Sequence, residues 1–174
     1  MTGLTKALGA FVAKPSFGAD ERAALEVAKT GFIDTIATMM AGHNEPVVNI
    51  VRQFFANATT PAEAPVPFLG TMHPSAQAAF ITAVAGHALD YDDAAQRGHI
   101  SVVVVPALLA EAQVLGASGR QMVASYAAGY ETWAELMRRE PDHYHNHSWH
   151  PTGVFGTLAA AAACAKLREL DADQ

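Results

Sequence analysis

Apolar residues recur at spacings of three and four along most of the chain, which predicts helices almost throughout. The clearest run extends from Ala19 or Asp20 to about residue 41. Its apolar positions are Ala24, Leu25, Val27, Ala28, Phe32, Ile33, Ile36 and Met39 or Met40. Asp20 suits an N-cap and Gly42 a stop. A second helix fits residues 46–56, with Pro46 in its first turn. Residues 57–67, rich in Thr, Pro and Ala, read as the one internal loop or linker. Phe68-Leu69-Gly70 reads as a short extended piece.

Residues 74–89 are small and apolar on nearly all sides, which predicts a buried helix. Val102 to Val105 are four β-branched residues, a local preference for strand. The continuation Pro106-Ala-Leu-Leu-Ala-Glu-Ala favours a helix, so the pattern predicts one over 103–115 with Pro106 in its first turn and Gly116 at its end. Ser118 or Gly119 opens another, through Met122, Tyr126, Tyr130, Trp133 and Leu136. The last helix is expected over 152–170, its Ala-rich middle letting neighbouring backbones come close. The closing Leu170-Asp171-Ala172-Asp173-Gln174 reads as one helix end followed by the N-cap of another. A longer natural polypeptide is therefore expected.

Composition narrows the function. Hydrophobic residues make up 51 % of the 174 and charged residues 16 %, against a usual ~25 % charged. This implies a large core or a buried oligomer face and excludes a disordered chain. The net charge is −6 with neutral histidines, and Arg138-Arg139 is the nearest thing to a basic cluster. Nucleic acid is therefore not expected as a partner. Cys164 is the single cysteine, which excludes an internal disulfide and a cysteine zinc cage; it reads as a small buried hydrophobe. No secretion signal or membrane span is expected, and the cytoplasm is the default location.

Polar chemistry gathers in two places. The first is His87-Ala-Leu-Asp-Tyr-Asp-Asp-Ala-Ala-Gln-Arg-Gly-His99. If its start is helical, His87, Asp90 and Ala94 share one face while Asp93 and Arg97 share another. A carboxylate beside an imidazole fixes its orientation, which is how an acid/base pair is built. Three aspartates can equally serve to end a helix and cap the next turn. The second is His143-Tyr-His-Asn-His-Ser-Trp-His150. As an extended strand it would point His143, His145 and His147 to one side, a possible Zn or Ni set, or an ordinary surface tract. His150 differs: it stands at the mouth of the last helix, beside free N–H groups and the positive helix end. Trp149 is large enough to wall a pocket. Phosphate loops and a Gly-x-Ser-x-Gly elbow are absent from the sequence, so serine-histidine catalysis through Ser101 is weakly supported.

Several segments, in order, resemble the MmgE/PrpD family. They are Phe32-Ile-Asp34-Thr-Ile-Ala, His87-Ala-Leu-Asp90-Tyr-Asp-Asp93, His99-Ile-Ser101, Pro106-Ala-Leu-Leu-Ala, Gly129-Tyr130-Glu131 and Ser148-Trp149-His150-Pro-Thr152-Gly-Val-Phe-Gly156. The resemblance covers nearly the whole chain. It implies an all-α helical bundle over 1–174, the first part of the family's large helical domain, with the smaller lid domain absent. It implies a lyase or isomerase that moves a proton next to a carboxylate of a small polycarboxylic acid, with no cofactor and no metal, in a homodimer. In the resemblance Asp90, His99 and His150 match site residues. His99 and His150 are the expected acid/base pair and Asp90 the orienting or substrate-binding carboxylate. Asp93, Trp149 and Ser101 are candidate substrate contacts, although Asp93 with Arg97 could form a structural ion pair. Three positions depart from the family pattern: Ala94 replaces a frequent threonine, His99-Ile100-Ser101 replaces His-Pro-Ser, and Ser148-Trp149-His150 replaces Gly-Trp-His. Losing the threonine hydroxyl removes a donor worth about 1 kcal/mol or more to a ligand. The rival readings are a non-catalytic dimerisation module and a histidine-rich metal-binding protein.

Overall fold

A computed structural model describes residues 3–16, 21–57, 61–140 and 148–174. Its helices are α1 (Leu4–Ala13), α2 (Glu21–Gly42), α3 (Pro46–Phe54), α4 (Ser75–His87), α5 (Ser101–Leu115), α6 (Gly119–Arg139) and α7 (Pro151–Leu167). Strands β1 (Ala64–Val66) and β2 (Thr71–His73) form one antiparallel hairpin between α3 and α4. The fold is all-α in character. None of its described helices is long and apolar enough to cross a membrane.

Helix α5 is the central rod. Ile100, Val104, Val105 and Leu108 are fully buried, with α4 on one side and α6 and α7 on the other. This environment overrides the strand preference of the valines, since burial on all sides rewards any compact apolar side chain. Pro106 lies in the second turn rather than the first; its missing N–H leaves one helical bond unmade. Gly116 closes the helix at φ +65°, and the Ala117 N–H donates to the Ala112 carbonyl, a left-handed C-terminal cap. Ser118 and Gln121 form a reciprocal capping box that starts α6.

Helices α6 and α7 approach closely. A Cβ on Gly129 would stand 2.7 Å from the Ala159 carbonyl oxygen and 2.9 Å from the Ala163 Cβ. The alanine-rich middle of α7 has this packing role. Trp133, fully buried, meets Phe155 of α7 edge-on, with ring centroids 6.2 Å apart.

Several expectations need correction. Val27, Ile33 and Met40 are exposed, and the buried stripe of α2 is Ala28, Phe32, Thr35 and Met39. The helix is apolar over too wide an arc for spacing alone to fix its inward face. Part of the expected linker is β1, and Phe68-Leu69-Gly70 forms the hairpin turn, with Phe68 and Gly70 at φ +66° and +64°. Three-residue strands carry too few alternations to be read from sequence. Helix α1 went unrecognised, and α7 ends at Leu167, with Glu169 left-handed beyond it. Cys164 is half-buried; burial pushes its thiol up to about 11, so it is a poor nucleophile at neutral pH.

Candidate active site

The first polar segment is not helical past His87. His87 is the last residue of α4. The Asp90 N–H donates to the His87 carbonyl at 3.0 Å, and Asp90 takes φ +53°. The chain thereby reverses, and the expected shared face of His87, Asp90 and Ala94 does not form. A second tight turn follows. Ala95 and Gly98 exchange backbone hydrogen bonds around Gln96 and Arg97, both left-handed at φ +49° and +72°. Of six left-handed non-glycine residues in the described chain, Asp90, Gln96, Arg97 and Ser148 lie in or beside the two polar segments. A left-handed non-glycine residue costs about 1–2 kcal/mol, and such residues often cluster at functional sites.

The reversal places Asp92 between two imidazoles. Its side chain is completely buried. Its Oδ1 lies 2.7 Å from His87 Nδ1 and its Oδ2 3.1 Å from His99 Nδ1. The two rings stand edge to face, centroids 4.7 Å apart. On the other side of His99, Asp90 Oδ1 is 3.9 Å from Nε2, with the Asp90 side chain 81 % exposed. Asp90 thus stands beside His99 at ion-pair distance, beyond hydrogen-bond reach.

His99 is also pinned to α7. Its backbone N–H donates to Thr152 Oγ1 at 3.0 Å, and Gly98 packs on the Trp133 ring. His150 is the N-cap residue of α7; its carbonyl accepts from the Gly153 and Val154 N–H groups, and its side chain makes no cap bond. His99 and His150, 51 positions apart, share the wall of one cleft of about 230 Å³ with Ala94, Gln96 and Arg97. Ala94, at the position where the family pattern often has threonine, therefore lines this cleft. Trp149 beside it is 61 % exposed.

Asp93 and Ser101 lie behind this surface. The Ser101 hydroxyl is fully buried and donates to Asp93 Oδ2 at 2.7 Å, and its oxygen is 2.6 Å from the Tyr126 hydroxyl. The Asp93 N–H donates to Asp34 Oδ2 at 3.1 Å. Asp93 points to Ser101 rather than to Arg97. This strut joins α2, α5 and α6 beneath the loop. Burial raises the Asp93 carboxyl above an ordinary aspartate's 3.8; Ser101 opposes the shift, and the Asp34 and Asp92 charges add to it. Burial likewise pushes the Tyr126 phenol up.

The Asp93 shift predicts a pH effect. A carboxyl raised in the folded state stabilises the fold at acid pH, and that contribution is lost as pH rises through its folded value. Asp93→Asn, which keeps an acceptor for Ser101, should therefore gain on the wild type as pH rises from acid to neutral. Thermal unfolding of both proteins across that range checks this; a constant difference between them would contradict it.

His87, Asp92 and His99 also have ligand atoms all within 4.8 Å of one another, close enough for a divalent ion to be shared. As the groups stand, both Nδ1 atoms lie at hydrogen-bond distance from the carboxylate, which fits N–H donors without a metal. His143, His145 and His147 lie outside the described residues. The sequence pattern sets His87 beside Asp90 and gives Asp92 no role, whereas the structure pairs His87 with Asp92. They are five residues apart, off any shared helical face, and only the left-handed turn at Asp90 unites them.

The described structure is thus a helical scaffold whose loops bring two histidines, His99 and His150, to one cleft. Comparison with known proteins makes this specific. Residues 6–174 match the MmgE/PrpD N-terminal domain, and the chain belongs to that family. It is also 33 % identical over 104 residues to the cis-aconitate decarboxylase of Mus musculus, an alignment covering 53 % of this chain and 20 % of that protein. The alignment thus spans about a fifth of that relative's length.

Proposed function

We propose that this chain supplies the acid/base half of a lyase or isomerase site for a small polycarboxylic acid, of the dehydratase or decarboxylase type. The observation that carries the reading is the meeting of His99 and His150 in one cleft, with Asp92 and Asp90 on opposite sides of the His99 ring. In dehydration one imidazole takes the proton from the carbon beside a carboxylate, the electron pair closes the new double bond, and the other imidazole, protonated, gives its proton to the departing hydroxyl, which leaves as water. In decarboxylation no proton is first removed: carbon dioxide departs, its bonding pair stays with the substrate carbons, and a protonated imidazole delivers a proton to that pair. Histidine suits both tasks because its ordinary pKa lies near neutrality.

The electrostatics also suit an anion partly held from elsewhere. Asp90, Asp92, Asp93 and Asp34 surround the loop, while Arg97 and the N-terminus of α7 offer positive character at the cleft. The rest of a longer polypeptide would complete the binding of a multiply charged substrate. Asp90, Trp149 and Arg97 are the proposed substrate contacts; Asp93 and Ser101 brace the loop. A cytoplasmic homodimer is part of the same proposal.

The test is turnover of a panel of di- and tricarboxylic acids by the full-length protein. His99→Gln and His150→Gln should each lower kcat by at least ~100-fold, the scale of positioned acid/base catalysis. Near-native turnover in either variant removes that residue from the scheme.

A further inference from the structure

The acid/base reading uses Asp92 only as a neighbour of His99, yet both oxygens of this buried carboxylate are committed. Oδ1 faces His87 Nδ1 at 2.7 Å and Oδ2 faces His99 Nδ1 at 3.1 Å. An ionised carboxylate only accepts hydrogen bonds. Each contact therefore requires its ring to carry a proton on Nδ1, and Nε2, across the ring, is left to meet a ligand. Both rings reach solvent, His87 at 38 % exposure and His99 at 21 %, while Asp92 has none. His99 Nε2 has Asp90 at 3.9 Å.

We propose that Asp92 is the positioning residue that holds His87 and His99 as a matched pair with Nε2 directed away from it, and that His87 is a further substrate-binding residue, donating from Nε2–H to a carboxylate when its ring carries both protons, while His99 moves the proton. The second half rests on the polycarboxylate reading above; the first half does not. A flat ring fixed at Nδ1 by a buried anion gives its Nε2 one direction, whereas an unanchored ring would sample two tautomers and several rotamers.

Nitrogen NMR of the 15N-histidine-labelled full-length protein at mildly alkaline pH tests the first half without any substitution. The assignments come from His87→Gln and His99→Gln. The expected result is an Nδ1–H tautomer for both rings. Nδ1 without a proton in either ring overturns the pairing; in both rings it would turn the same three groups into a cation site. Asp92→Asn has one acceptor oxygen and one donor nitrogen, so it should switch one of the two rings to the Nε2–H tautomer; both rings keeping the wild-type tautomer overturns the positioning role.

Kinetics test the second half. His87→Gln should raise KM by about tenfold or more, the scale of a lost charge-assisted hydrogen bond, with a smaller change in kcat. An unchanged KM overturns the binding role of His87. Failure of the acid/base reading is seen separately, as turnover that survives in His99→Gln.

Discussion

Replacing Trp133 by alanine is expected to destabilise the protein by about 3–5 kcal/mol, the usual cost of emptying a large buried aromatic site. Trp133 is the largest fully buried side chain. It touches Phe155 of α7 and lies directly beneath Gly98, so it supports both the packing of α6 on α7 and the floor of the loop before His99. The fall in thermal midpoint should be on the order of 10 °C. Trp133→Phe is the informative companion. It keeps an aromatic ring and removes the Nε1–H, which is buried without a hydrogen-bond partner. Its cost should be well under half that of the alanine variant. Equal losses in the two variants would show that the ring is not the supporting element.

Gly98→Ala should damage activity far more than stability. The added Cβ would lie 2.6 Å from Trp133 Cη2, closer than real Cβ atoms approach, and 3.1 Å from Thr152 Oγ1, also a tight contact. The indole is rigid and packed, so the loop must lift. His99 would then lose its backbone bond to Thr152 and move relative to His150. Overpacking of this kind costs about 1–3 kcal/mol, whereas displacing a catalytic group by about 1 Å can cost 100-fold in rate. The double variant Gly98→Ala with Trp133→Phe makes room for the methyl group and should recover part of the lost rate. Strict additivity of the two changes would contradict a shared steric cause.

Legibility in the sequence followed the length and clarity of each local signal. Helices α5 and α6 carry explicit stops and starts, Gly116 and Ser118, and their extents emerge close to the expected ones. The inward face of α2 was illegible because Val27 and Ile33 are as apolar as Phe32, so no spacing rule separates them. The hairpin was hidden because β1 has only Ala64 and Val66 to show its buried side.

At the site, His99, His150 and Asp90 were visible as residue types in a familiar order, and the structure draws His99 toward each of the other two. His87 and Asp92 were not visible as a pair. Helical spacing cannot join residues five apart, and the left-handed turn at Asp90 that does join them has no glycine to announce it. Asp93 and Ser101 stood beside the same motif and look inward instead, a difference decided by Tyr126, 25 residues further on from Ser101.

On the proposed reading, imidazoles at this cleft move a proton on a carbon beside a carboxylate. Proton NMR of small polycarboxylic acids incubated in heavy water with the full-length protein tests it most directly. Deuterium is expected to enter at one carbon next to a carboxylate, at a rate that falls at least ~100-fold in His99→Gln. Conversion or exchange that proceeds equally well in the His99→Gln and His150→Gln variants, or no exchange into any member of the panel, would contradict it.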